Sequence, residues 1–170
     1  MNRKLGFTLA EVLVTLMIIG VIAAITIPSL MQSTSSQEYK VAFKKAVSSI
    51  NQAITMNYAL EGEDASSYTC ISFLNMLTNR LNVITKEANS VYTADGMHYR
   101  AISGGSAVCG VCSVDDGNIC SVIQVDVNGR KGPNKMTTST NKVFDMFTVN
   151  IYAQKVLPGN DTFSEILYSK

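Results

Sequence analysis

The stretch from Met1 to Leu30 constrains this chain most: a basic leader ending in Gly6, then Phe7, then an apolar run broken by a single acid, Glu11. A helix satisfies its own backbone, so about 20 consecutive apolar residues are enough to cross a bilayer. Thr15 and Thr26 are tolerable there, because a hydroxyl can bond back to its own helix. A carboxylate at that depth is costly and needs a partner. One lies close by in the sequence. If the chain is cut after Gly6, the new amino group on Phe7 carries a positive charge four residues from Glu11. In a bundle of such helices, that amine and a neighbour's carboxylate neutralise each other away from water.

Two plainer readings compete. A secretory signal would use Arg3 and Lys4 as its basic end and Val21-Ile22-Ala23 as its cleavage site. A simple single-span anchor would use Val12 to Ile27 and its apolar neighbours. Neither accounts for Gly6, Phe7 and Glu11 together. In all three readings the basic leader stays on the cytoplasmic side and the rest of the chain lies outside.

The residues KLGFTLAEVLVTLMIIGVIAAITIPSL resemble the prepilin leader and assembly segment shared by type IV pilins and the pseudopilins of type II secretion. The resemblance is specific over the first 30 or so residues and loose beyond them. It implies that a membrane prepilin peptidase cuts after Gly6 and methylates the new terminal Phe7. It implies that Glu11 guides subunit docking and that Pro28 loosens the first helix. The implied partners are the peptidase, other subunits of the same kind and an inner-membrane assembly platform. The implied location is the bacterial inner membrane, crossed once with the head on the exported side, or a filament built from there.

Beyond Pro28 the pattern turns amphipathic. Ser33 to Gln37 reads as a short polar joint. From Tyr39 the apolar residues fall at Tyr39, Phe43, Ala46, Ile50 and Ala53, with Leu60 in register and Val47 and Ile54 beside them, a helical stripe. Lys40, Lys44, Lys45, Ser48, Asn51 and Gln52 take the other faces, so one side should lie on a globular head. A coiled-coil partner is disfavoured, because Asn57 interrupts the short heptad run. Phe7 to about Leu60 therefore reads as one long, partly broken helix. A second, short helix is expected where Ile71, Leu74, Leu77 and Leu81 recur with Phe73 alongside.

The remainder reads as strand and turn: Met97 to Ile102, Ala107 to Val114, Ile119 to Val127 and Phe144 to Tyr152. Asp116-Gly117 signals a hairpin between the middle two, since a primed turn needs positive φ there. The expected fold class is α+β and pilin-like, a long N-terminal helix packed on a small antiparallel sheet. The expected organisation is a leader over 1–6, a membrane and assembly helix over 7–30, its amphipathic continuation over 31–60 and a head over 61–170. Lys and Arg number 14 against 13 Asp and Glu. Loss of Arg3 and Lys4 reverses that small excess, so no basic field for nucleic acid is present.

An even number of cysteines on the outer face of a membrane favours disulfides. Cys70, Cys109, Cys112 and Cys120 leave the connectivity open. A bridge from Cys70 to the hairpin and another within 109–120 would staple the second helix to the sheet. Cys109-Gly110-Val111-Cys112 also has redox-pair spacing, but it lies in a strand pattern without the helix start that lowers a thiol pKa. A four-thiolate zinc site lacks a second close pair. His98, the only histidine, sits in a strand pattern and reads as structural, and no nucleophile motif or phosphate loop accompanies it.

Asp126-Val127-Asn128-Gly129 followed by Lys131-Gly132-Pro133-Asn134 reads first as a strand-ending turn. The resemblance adds a second reading. Major pseudopilins hold calcium in a loop near the sheet's end, and Asp126, Asn128 and Asp145 offer hard oxygen ligands here, although no matched ligand series is present. Three functions compete: a non-enzymatic pseudopilin of type II secretion, a type IV pilin of a surface fibre for adhesion, motility or DNA uptake, and an anchored thiol oxidoreductase. No cofactor is expected beyond that calcium.

Overall fold

The computed structural model of the chain describes residues 6–102, 112–115 and 117–169. Arg3, Lys4, Cys109 and Asp116 lie outside the described residues. The chain divides into two units, Met1–Ser36 and Gln37–Lys170.

In the first unit, helix α1 (Leu9–Glu61) starts where the apolar run starts. Thr8 and Glu11 set that start. The Glu11 N–H donates to Thr8 Oγ1 at 3.3 Å, and the Thr8 N–H donates to Glu11 Oε2 at 2.7 Å. This is a reciprocal capping box, which satisfies two of the donors a helix start leaves without partners. Thr15, Thr26 and Ser35 donate their hydroxyls to the carbonyls of Val12, Ile22 and Met31, so the polar side chains of the run spend their protons on the helix itself. The expected break does not occur. Pro28 lies inside α1, and the helix runs on through Ser33–Gln37. Proline there removes one i→i−4 bond, and the remaining ladder carries the helix across it. Residues 9–31 present their large apolar side chains outward: Leu9 is 81% exposed and Met17 72%. The helix is long and apolar enough, by length and composition, to cross a membrane.

The second unit is built on a six-stranded antiparallel sheet with strands in chain order. They are β1 (Val83–Glu87), β2 (Ser90–Thr93), β3 (His98–Ala101), β4 (Ser121–Asp126), β5 (Met146–Ile151) and β6 (Val156–Pro158). Alternation decides which face is covered. Val91, Tyr99, Ala101, Ile123, Val125, Phe147, Val149 and Ile151 form one buried set. The α1 residues Phe43, Ala46, Val47, Ile50, Ala53 and Ile54 belong to the same core. Phe43 stacks on Phe147 with centroids 4.2 Å apart, and Phe163 meets both edge-on. A buried phenylalanine contributes about 1.5–3 kcal/mol, with a further 0.5–1.5 kcal/mol for a well-placed aromatic pair. Phe163 belongs to α3 (Asp161–Tyr168), whose start Asn160 caps by accepting from the Phe163 N–H.

Helix α2 (Cys70–Arg80) is set by a second capping box, between Thr69 and Ser72. It buries Cys70, Phe73, Leu74, Met76 and Leu77. The predicted stripe was rotated: Ile71 is 51% exposed, because Phe73 and Met76 take the inner face instead. Leu60 also leaves its stripe, at 66% exposure, and polar Asn57 is buried in the turn before it. The predicted hairpin around Asp116-Gly117 needs 119–127 to pair with 107–114. That pairing is closed off, since β4 has β3 on one edge and β5 on the other. Most of 107–114 lies outside the described residues.

Candidate functional site

Gly6 and Phe7 precede the first helical residue, and Phe7 is 91% exposed. A peptidase needs an extended, accessible backbone at the bond it cuts, and the Gly6–Phe7 bond lies outside the hydrogen-bonded turns of α1. Glu11 is placed by the capping box. Its Oε2 accepts both from the Thr8 N–H and from the Thr8 hydroxyl, at 2.7 and 2.8 Å. Both of those bonds fall on one carboxylate oxygen. Thr8 carries a readable signal, since Thr-x-x-Glu ahead of an apolar run is a capping box.

Cys112 and Cys120 form a disulfide with Cα atoms 4.9 Å apart. They form a small buried cluster with Ala153, beside β5. The Cys109/Cys112 redox spacing therefore does not operate as a pair, because the Cys112 sulfur is bonded to Cys120. Cys70 is also disulfide-bonded, and its sulfur accepts from the Ser121 hydroxyl at 3.1 Å. That hydrogen bond joins the start of α2 to the start of β4. His98 lies on β3, stacked on Tyr92 at 4.1 Å, with the Arg130 guanidinium over Tyr92 at 4.7 Å. Its Nε2 is buried without a hydrogen-bond partner.

The β4–β5 loop gathers the remaining predicted residues. Asp145 is fully buried and accepts from the backbone N–H groups of Asn134 and Lys135, at 2.7 and 2.8 Å. Asp126 is 5% exposed and accepts from the Asn128 N–H at 3.2 Å. Burial pushes its carboxyl up to about 6; the charge of Asp145 adds to this, and the N–H groups of Asn128 and Gly129 oppose it. Asn128 donates to the Gly132 carbonyl at 3.1 Å, and its buried Oδ1 has no partner. Gly129 has φ +65, and a side chain there would meet the Gly96 carbonyl at 2.6 Å. Only glycine fits both demands.

Sequence reasoning missed Asn134, which sits at φ 48. Its terminal amide approaches three oxygens: Gly129 O at 3.2 Å, Asp126 Oδ2 at 3.2 Å and Lys131 O at 2.9 Å. The amide nitrogen donates to these three oxygens and so serves the carbonyls and the carboxylate together, while the buried Asn128 Oδ1 has no partner. Among the described residues, no three His, Cys, Asp or Glu side chains come together for a metal, so a calcium ion here would rest chiefly on neutral oxygens. Asp145 is already engaged by two backbone donors.

The fold is α+β and pilin-like, a long N-terminal helix packed on a six-stranded antiparallel sheet. Residues 1–27 match the family model of the prokaryotic N-terminal methylation motif, the prepilin-type cleavage signal of type IV pilins and pseudopilins. The match spans the leader, Gly6, Phe7 and Glu11, and ends just before Pro28. No curated protein and no solved structure matches the chain.

Proposed function

We propose that the chain is a structural subunit of a type II secretion pseudopilus, cut after Gly6 by prepilin peptidase, methylated on Phe7 and lifted from the inner membrane into a short filament. The observation that carries this reading is the methylation motif over residues 1–27, followed directly by an apolar helical surface that its own unit leaves exposed. Such a surface is covered by lipid before assembly and by neighbouring helices after it. Glu11 then meets the Phe7 amine of a neighbour, and the exchange of lipid for protein desolvates both charges together. The head lies on the exported side, where disulfides persist.

A calcium ion in the β4–β5 loop, served by Asp126, Asn128 and Asp145, belongs to the same proposal. Its support is the buried Asn128 Oδ1, which has no hydrogen-bond partner, in the loop that also holds the buried carboxylates of Asp126 and Asp145. When bound, the ion would supply positive charge to that oxygen.

Intact mass and N-terminal sequencing of the protein from the membrane fraction test the processing. A chain starting at methylated Phe7 is expected. A start at Ala24 or Met1 would mean secretion or plain anchoring and would remove the reading. A type IV pilin of a surface fibre uses the same leader and fold. Long sheared fibres containing this chain would favour that pilin, whereas loss of exported proteins on deletion favours the pseudopilus.

A further inference from the structure

We propose that the β4–β5 loop docks the head on the anionic phosphate headgroups of the membrane that holds the same chain, through an anion-binding pair made by Lys135 and Lys142. This rests on anchoring by α1, which the pseudopilus and surface-fibre readings share, and not on the calcium reading.

The whole-chain balance of 14 basic and 13 acidic residues averages over a local imbalance. From Val127 to Phe144 the sequence holds Arg130, Lys131, Lys135 and Lys142 and no acid. All four are exposed. Arg130 is already engaged, by Glu87 at 3.3 Å and by the face of Tyr92. Lys131 shares a cleft with Glu38 and Asp95, and Asp95 pairs with Lys45. Lys135 and Lys142 differ. Their ammonium groups approach one ring, that of Phe144, at 5.9 and 5.5 Å from its centroid, so they lie no further apart than those two distances together. Among the described residues neither lysine is ion-paired. Asp145 follows Phe144 in the chain, but it is fully buried and accepts from the N–H groups of Asn134 and Lys135. Two like charges gathered on one aromatic ring without a counter-charge attract an anion between them.

The pair stands on a fixed base. The Thr137 hydroxyl donates to the Phe144 carbonyl and accepts from the Phe144 N–H, both at 2.9 Å, and the Met146 N–H donates to the Lys135 carbonyl at 3.0 Å. Thr138, Ser139 and Thr140 lie between the two lysines in the chain. The Ser139 hydroxyl oxygen accepts from the Asn141 N–H at 3.2 Å and keeps its own proton to donate. Ammonium and hydroxyl donors together suit phosphoryl oxygens.

The membrane is the phosphate source that the chain itself brings close. Glu38 and Tyr39, at the start of the second unit, line one cleft with Asn128, Lys131 and Gly132 of the loop. Tyr39 stands eight positions after Met31, which ends the exposed apolar run, and a chain of that length spans at most about 28 Å. Such a tether makes docking intramolecular, with an effective concentration that no soluble phosphate compound shares. An anionic membrane surface attracts a basic segment roughly fivefold more for each Lys or Arg near it.

The test uses the full-length chain in two lipid nanodiscs, one of phosphatidylcholine alone and one enriched in phosphatidylglycerol, with amide hydrogen exchange over 130–144 read by mass spectrometry. Exchange is expected to be slower in the phosphatidylglycerol discs by about threefold or more at low salt, and the difference should vanish at about 0.5 M NaCl. The double variant Lys135→Gln, Lys142→Gln should lose the difference and Lys135→Arg, Lys142→Arg should keep it, with circular dichroism confirming that both fold. Equal exchange in the two discs, by a chain that has entered both, would overturn the docking and leave the anchoring standing. A chain that enters neither disc would overturn both. Protection that inorganic phosphate or a DNA duplex reproduces in phosphatidylcholine discs would overturn the assignment to lipid.

Discussion

Asn57 Oδ1 accepts a hydrogen bond from Arg80 Nε at 3.1 Å, which joins the end of α1 to the end of α2. The same buried amide donates to the Glu63 carbonyl at 2.8 Å and to the Tyr68 hydroxyl at 3.0 Å. Arg80 also pairs with Glu61, and the Tyr68 hydroxyl donates to Glu63 Oε2 at 2.7 Å. One side chain thus serves three segments that leave α1 and return to the sheet. Truncating it takes a partner from a guanidinium N–H and from a carbonyl in a part-buried junction, each costing about 1–3 kcal/mol if unsatisfied, while the Tyr68 hydroxyl keeps Glu63. Asn57→Ala is therefore expected to destabilise the head by roughly 2–4 kcal/mol, measurable by thermal melting, while Arg80→Lys should cost less because the ammonium retains the Glu61 charge.

The capping box at Thr8 and Glu11 separates two uses of one carboxylate. Glu11→Gln keeps an oxygen that can accept from the Thr8 N–H and loses the charge; Thr8→Val removes the hydroxyl of the box and keeps the charge. The loss of an N-cap costs about 1 kcal/mol. Thr8→Val should therefore speed amide exchange over the first turn of α1 about fivefold in micelles, and Glu11→Gln should not. If Glu11 docks through its charge, Glu11→Gln and Glu11→Val are both cut after Gly6 yet fail to assemble, whereas Gly6→Ala accumulates uncut precursor. Normal filaments from Glu11→Gln would show that the cap, not the charge, is what assembly requires.

Much of this was legible because it is local. Gly6, Phe7 and Glu11 announce themselves in sequence, and the stripe from Tyr39 to Ile54 has the period of the helix face that it forms. The misreadings share one cause: a periodicity argument cannot see what the facing surface wants. Ile71 and Leu60 fit their stripes and are exposed, because the inner positions went to Met76 and to the amide of Asn57. In sequence Asn57 only interrupts a heptad run, whereas in the fold it joins the last turns of α1 to Glu63, Tyr68 and Arg80. Strand β1, with most of its residues exposed, has no alternation to read. Asn134 reads in sequence only as part of a turn, since the Gly129 and Lys131 carbonyls and the Asp126 carboxylate that its amide nitrogen serves are brought together only in the folded loop.

The Cys112–Cys120 bridge closes a short loop across a buried contact with Ala153. By chain entropy alone, a loop of this length is worth roughly 2–3 kcal/mol. Replacing both cysteines by alanine should lower the melting temperature by about that much stability without changing the sheet. Treatment of the wild type with a reducing agent should lower it further, since Cys70 is bonded as well. Reduction that leaves the melting point unmoved would show that the bridges add nothing to the head.

His98 gives the head a pH dependence of defined sign. Burial holds its pKa below the ordinary histidine value, the positive charges of Arg100 and Arg130 push the same way, and Glu87 opposes them. The unfolded chain therefore takes up a proton at a higher pH than the folded one. Stability is fully present above the unfolded value of about 6.5 and is lost as pH falls below it. Asp126 works in the opposite sense: its carboxyl, raised to about 6, releases a proton as pH rises through that value and then costs stability. The two windows overlap, so a single melting curve mixes them. His98→Phe preserves a ring to stack on Tyr92 and removes the charge. In metal-free buffer, the difference between wild type and His98→Phe should widen steadily from pH 7 to pH 5, with the variant gaining relative stability on the acid side. Parallel curves for the two proteins over that range would show that His98 carries no linked proton.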